Sequence, residues 1–124
     1  KTKSLVELVK HAVEEENGSV VCLEKDKNLT FDIPHTVRLI HASDYSFKSM
    51  EFFKGFISGL HAANYDISHV FIANFFKMIG EPDMDKVAEL LDALDAFGTK
   101  ENIKFTITAT ADTEKFGDNI KKYC

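Results

Sequence analysis

The sequence predicts an α/β domain: a three-layer α/β/α sandwich around a mostly parallel sheet of four to five strands. Three observations predict it. Short apolar runs of strand length recur along the chain, as in Val20-Val21-Cys22-Leu23 and Val70-Phe71-Ile72-Ala73. Amphipathic stretches of helical period lie between them. The spacers, about 10 to 18 residues, are long enough for right-handed crossovers between parallel strands.

Each element has a local cause. Leu5, Leu8, Val9 and Val13 recur at helical spacing while Lys10, Glu14 and Glu15 fall elsewhere on the wheel, which predicts a helix over 3–16. Asn17-Gly18 stops it, since both residues tolerate positive φ. Ser19 to Glu24 reads as a buried strand, Asp26-Lys27-Asn28 as a turn, and Leu29 to Ile33 as a short edge segment ended by Pro34. Val37 to His41 is the next strand. A helix over about 46–63 follows, with Ser43, Asp44 or Ser46 available as caps. Phe53, Phe56, Ile57 and Leu60 form its apolar face, widened by Phe52, and Gly55 and Gly59 leave a flat strip. His69 to Asn74 is the third strand, and 75–80 an apolar connection. Glu81-Pro82-Asp83 opens a helix whose core face is Met84, Val87, Leu90, Leu91 and Leu94 and whose end is Phe97-Gly98. Ile103 to Thr110 is the last strand, and a short helix over about 113–122 completes the order. Near-continuous apolar runs predict a sheet covered on both faces.

Length and composition bound the rest. At 124 residues, 44% hydrophobic and 28% charged, the chain fits one globular domain over 1–124. It begins with Lys1, which leaves room for upstream sequence. The net charge is -5, and all of the 15 basic residues except Arg38 are lysine. That balance argues against nucleic-acid binding, which uses clustered positive charge. No apolar run approaches the ~18 residues of a membrane span, so no membrane partner is expected. Cys22 and Cys124 do not make a disulfide framework, and a reducing, cytoplasmic compartment is the expectation.

In a parallel sheet, ligands bind beyond the carboxyl ends of the strands. That rule nominates Glu24, Asp44, Asn74 and Asp112 as candidate ligand-binding residues, although polar residues also stand wherever a strand runs into a loop. The five histidines pair with no cysteine or carboxylate at metal-ligand spacing, so no metal site is expected, and no catalytic residue is assigned. His41 and His69 flank strands and would approach one another if those strands were neighbours. Phe75, Phe76, Met78 and Ile79, just past a strand, are candidates for a partner-binding surface, with core packing as the ordinary alternative.

The pattern resembles the RecA/KaiC-like branch of P-loop ATPases, especially its degenerate, non-catalytic relatives. Lys1-Thr2 stands directly before the first helix, as the end of a phosphate loop would. Val20-Val21-Cys22-Leu23-Glu24 follows at a compatible distance, and Glu24 matches the family's catalytic carboxylate. Val37-Arg38-Leu39-Ile40 with Asp44, Val70 to Asn74, and Ile103 to Thr110 are similar to the later strands. The chain departs from the family in two places. The glycines that would wrap the phosphates are not in it, and Ala73 or Asn74 stands where the metal-linked aspartate belongs. The resemblance therefore implies a non-enzymatic regulatory or interaction domain, without cofactor, that self-associates or docks a protein. The alternative it implies is a piece of an active nucleotide-binding ATPase, with ATP and magnesium as ligands. A receiver-like signalling domain is a third expectation, weakened because Asn74 stands where a receiver's aspartate would be.

Overall fold

The computed structural model describes residues 2–25, 32–45, 47, 49–79, 83–109 and 116–123. The described elements are α1 (Thr2–Glu15), β1 (Ser19–Glu24), β2 (Arg38–His41), a 3₁₀ turn (Ala42–Asp44), α2 (Met50–Ala63), β3 (Ile67–Ile72), α3 (Phe75–Ile79), α4 (Met84–Glu101), β4 (Lys104–Ile107) and α5 (Asp118–Lys121). Four strands form one sheet in the order β2-β1-β3-β4, and every pairing is parallel.

The strand order dictates the layers. The chain leaves β1 in one direction to reach β2, then crosses back over β1 to β3 and continues the same way to β4. Right-handed crossovers place all connections running in one direction on one face. Accordingly α2 and α4 share a face. There Phe53, Ile57, Val87, Leu90 and Leu94 pack on Val21, Leu23, Val70 and Ile72. The reverse connection from β1 to β2 lies on the opposite face. Its Ile33 and Val37 join Leu5, Val9 and Ala12 of α1 against Val20, Cys22, Phe71 and Ala73. Successive residues of β1 and β3 thus serve alternate cores, as the period of two in a strand requires.

The boundaries differ from the sequence expectation for identifiable reasons. On α1, Leu8 is 47% exposed and Ala12 takes its place on the buried face. The second helix begins at Met50, four residues later than expected. Phe47 is buried ahead of it, edge-on to Phe53 at 5.3 Å, and holds the chain in the core before the helix can start. The cap is accordingly Ser49, whose Oγ accepts the Phe52 N–H at 3.0 Å. Ser43 and Asp44 are spent in the 3₁₀ turn, and Ser46 lies outside the described residues. The third strand runs over 67–72 and not 69–74, because Asn74 adopts a left-handed φ of 53° that turns the chain into α3. The connection after it is therefore a short helix. On α4 the Asp83 carboxylate accepts the Asp85 N–H at 2.9 Å. The helix passes Gly98 and stops at Asn102, which has a φ of 59°. Among the described residues the last strand, β4, covers 104–107 and the last helix, α5, covers 118–121; residues 110 and 113–115 of these expected elements lie outside the described residues. Residues 29–31 of the expected edge segment lie outside the described residues.

The coverage of the sheet is also uneven. α1 lies over β1 and β3, whereas Lys104 and Thr106 of β4, and Thr108 just after it, extend past it, Lys104 exposed and the two threonines half-buried. This is why β4 alternates polar and apolar residues while β1 and β3 do not.

The glycines have different local surroundings. A Cβ on Gly98 would sit 2.5 Å from the Ile103 carbonyl oxygen and 3.2 Å from the Phe105 ring. A Cβ on Gly55 or Gly59 would meet nothing within 4 Å. Gly59→Ala is therefore expected to raise stability by about 0.8–1 kcal/mol through helix propensity. Gly98→Ala is expected to lower it by about 1 kcal/mol or more through overpacking against backbone. Urea titrations of the two variants check both signs.

Candidate functional site

The direction of α1 fixes which groups share the carboxyl crest of the sheet. Glu16, just past the end of α1, reaches Lys104 and His69, which stand at the beginnings of β4 and β3. α1 therefore ends at the amino edge of the sheet and starts at the carboxyl edge. Its N-terminus lies on the same crest as the ends of β1 and β3.

Two connections meet there. The Ala73 N–H donates to the Leu23 carbonyl at 2.8 Å, extending the β1–β3 ladder to the crest. Past this point the chain leaves β1 toward β2 and leaves β3 toward β4. Such a divergence is the switch point at which open parallel sheets form ligand crevices. The loop after β1 is pinned by the Ser43 N–H donating to the Lys25 carbonyl at 3.0 Å. The turn after β3 is pinned twice: the Asn74 N–H donates to Thr108 Oγ1 at 3.1 Å, and the Phe75 N–H donates to the Thr108 carbonyl at 2.9 Å.

The four nominated ligand residues distribute unevenly over this crest. Glu24 ends β1 and is the buried charged residue among the described ones, at 4% exposure. It stands opposite His41 in the register. Burial first, and then the Glu24 carboxylate, push the Cys22 thiol up to about 12, so Cys22 is a packing residue and not a nucleophile. Asn74 is exposed at the end of β3, one strand from Glu24. Asp44 is exposed beyond β2, at the sheet's margin. Asp112 lies outside the described residues. No group of three or more histidine, cysteine, aspartate or glutamate side chains able to hold a metal ion is found among the described residues.

The partner-binding candidates sit on the other helical face. Phe75 and Met78 are buried, and Phe75 meets Phe53 edge-on at 5.6 Å. Phe76 and Ile79 are half-buried. Phe76 lies 5.9 Å from Phe116, and the two rings border a cleft of about 480 Å³ between α4, α5 and β4. Leu91, Leu94, Phe105 and Ile107 continue its apolar lining.

A polar cluster that sequence reasoning missed occupies the amino edge. Lys104 Nζ donates to Glu16 Oε2 at 2.7 Å. His69 Nε2 and Thr106 Oγ1 are 2.8 Å apart, and His69 Nδ1, buried, lies 3.8 Å from the same Glu16 oxygen. The His69 ring stacks on Phe71 at 4.1 Å. His69 and His41 do not meet, because β1 separates their strands and they stand at opposite ends of them. The signal for the cluster was the alternation of Lys104 and Thr106 with apolar neighbours, which marks one polar side of β4.

No family model, curated protein or solved structure matches the chain. Among the described residues no helix is long and apolar enough to cross a membrane.

The amino-edge cluster is expected to make the fold acid-sensitive. Lys104 donating to Glu16 holds that carboxyl below its usual value, with Ser68 and His69 assisting against desolvation. Burial lowers His69, and the nearby Glu16 charge only partly offsets it. In both cases the unfolded chain binds its proton first, so stability falls as pH drops. Loss is expected to begin below about 6.5, the ordinary histidine value, and to steepen below about 4.3 as Glu16 joins. Urea midpoints across pH for His69→Gln and Glu16→Gln check this. The first variant should flatten the upper part of the curve and the second the lower.

Proposed function

We propose that this chain is a non-enzymatic regulatory or protein-interaction domain with a RecA/KaiC-like core lacking a complete phosphate-binding loop, working in the cytosol. The observation that carries the reading is the open apolar cleft lined by Phe76, Leu91, Phe105, Ile107 and Phe116. Contiguous apolar surface left uncovered on a folded domain marks an interaction site. The cleft reaches Phe75 and Phe76 directly after β3 but is lined by neither Glu24 nor Asn74, so a partner seated there would leave those two crest residues to a regulatory ligand.

A second reading, a nucleotide-binding ATPase of which this chain is part, is favoured by one geometric fact. α1 starts at the crest where β1 ends in Glu24. A helix N-terminus concentrates positive dipole and free N–H groups, which suit phosphate. Glu24 would then act on the attacking water, and ATP with magnesium would be the ligands.

The two readings separate by experiment. On the interaction reading, size-exclusion chromatography with light scattering gives a mass above the monomer, alone or with a cross-linked partner. Phe116→Ala abolishes that association at a stability cost of about 1–2 kcal/mol, the value of a half-buried aromatic. A strict monomer that captures no partner rejects it. Thermal melts are expected to be unchanged by MgATP, and a rise of several degrees would establish the nucleotide reading in its place.

A further inference from the structure

We infer that the outer edge of β4 accepts an extended strand from a partner protein, whose alternate apolar side chains enter the cleft and whose lysine or arginine pairs with Asp95. The inference rests on the interaction reading and gives the partner a chemistry.

β4 ends the strand order, and no described strand lies beyond it. The direction of its backbone groups follows from two bonds. The Thr108 N–H donates to the Ile72 carbonyl, and the Thr108 carbonyl accepts from Phe75, each at 2.9 Å. Thr108 thus turns both groups toward the interior of the sheet. Direction alternates residue by residue along a strand, so Thr106 and Lys104 also face β3. Phe105 and Ile107 direct their N–H and C=O groups outward, where an added strand would bond them.

The same two residues line the cleft with their side chains. A strand paired to them places alternate side chains on their face of the sheet, over the space between β4, Leu91 of α4 and Phe116. At about 480 Å³ the space is large enough for apolar side chains of a partner. Folded domains commonly guard an exposed edge with a lysine, a proline or a bulge. β4 has no proline, and its one lysine, Lys104, is drawn to Glu16 at 2.7 Å on the α1 side.

Charge completes the assignment. Asp95 is exposed on the cleft wall, and among the described residues no basic group lies within ion-pair distance of it. Its neighbour Asp92 is already paired with Lys122 at 3.2 Å and accepts the Tyr123 hydroxyl. A cationic residue in the incoming strand is therefore attracted to Asp95, and an acidic one repelled, in a chain of net charge -5.

Amide hydrogen exchange on the free protein is the first test. Phe105 and Ile107 should exchange about tenfold or more faster than Thr106. Equal protection means that the edge is already paired and overturns the inference. The second test adds a fluorescein-labelled extended peptide, Lys-Thr-Val-Thr-Val-Thr-Val, in which the lysine and the valines share one face. Binding should slow exchange at Phe105 and Ile107, Asp95→Asn should weaken it about two- to fivefold, and N-methylation of alternate peptide amides should abolish it. Absence of binding at millimolar peptide, or binding indifferent to N-methylation, overturns the inference. Protection of the same amides that grows with protein concentration alone assigns the edge to a second copy and overturns the partner strand. The interaction reading stands or falls separately, on light scattering and Phe116→Ala.

Discussion

Burial of β1 on every side is the constraint on which the rest of this structure depends. β2 and β3 occupy both of its edges, α1 covers one face, and the α2 and α4 layer covers the other. Val20, Val21, Cys22 and Leu23 are each 4% exposed or less. Full burial of a Val or Leu side chain contributes about 1.5–3 kcal/mol, so this segment ties both cores into one unit. Polar residues enter β1 only at its two ends, as Ser19 and Glu24.

Placing β1 inside the sheet also creates the switch point. A first strand at an edge would send every crossover the same way, and all helices to one face. Here the reversal between β1 and β3 opens the crest, sets α1 apart on its own face, and leaves β4 as the far margin. The crest and the β4 margin are therefore two outcomes of one topological choice, and they lie at different places on the molecule.

Much of the fold was legible because apolar period and length carry it. Val20 to Leu23 and Val70 to Ile72 read as doubly buried strands by their length and β-branched content, and α4 announced itself through Val87, Leu90 and Leu94. Strand order was not legible, since it depends on which edges meet and not on any local pattern. Whether His41 and His69 could approach hung on that order, and β1 between their strands keeps them apart. Boundaries shifted where one residue had a tertiary obligation. Phe47 delayed α2 to fill the core, and Gly98 looked like a helix stop but is the clearance for Ile103 and Phe105. The crest residues Glu24 and Asn74 followed from the carboxyl-end rule once strands were assigned. The amino-edge cluster did not, because its members are drawn from distant parts of the chain. The cleft was visible only through Phe76, since its walls come from elements joined late in the sequence.

The Glu16–Lys104 contact joins groups 88 residues apart. During synthesis β1, β2 and β3 can pair before β4 has left the ribosome, with α1 resting on them by apolar contact and by Glu16 beside His69. The lysine arm of that tether closes only once Lys104 emerges, so α1 is fully locked only after β4 has taken its place in the sheet.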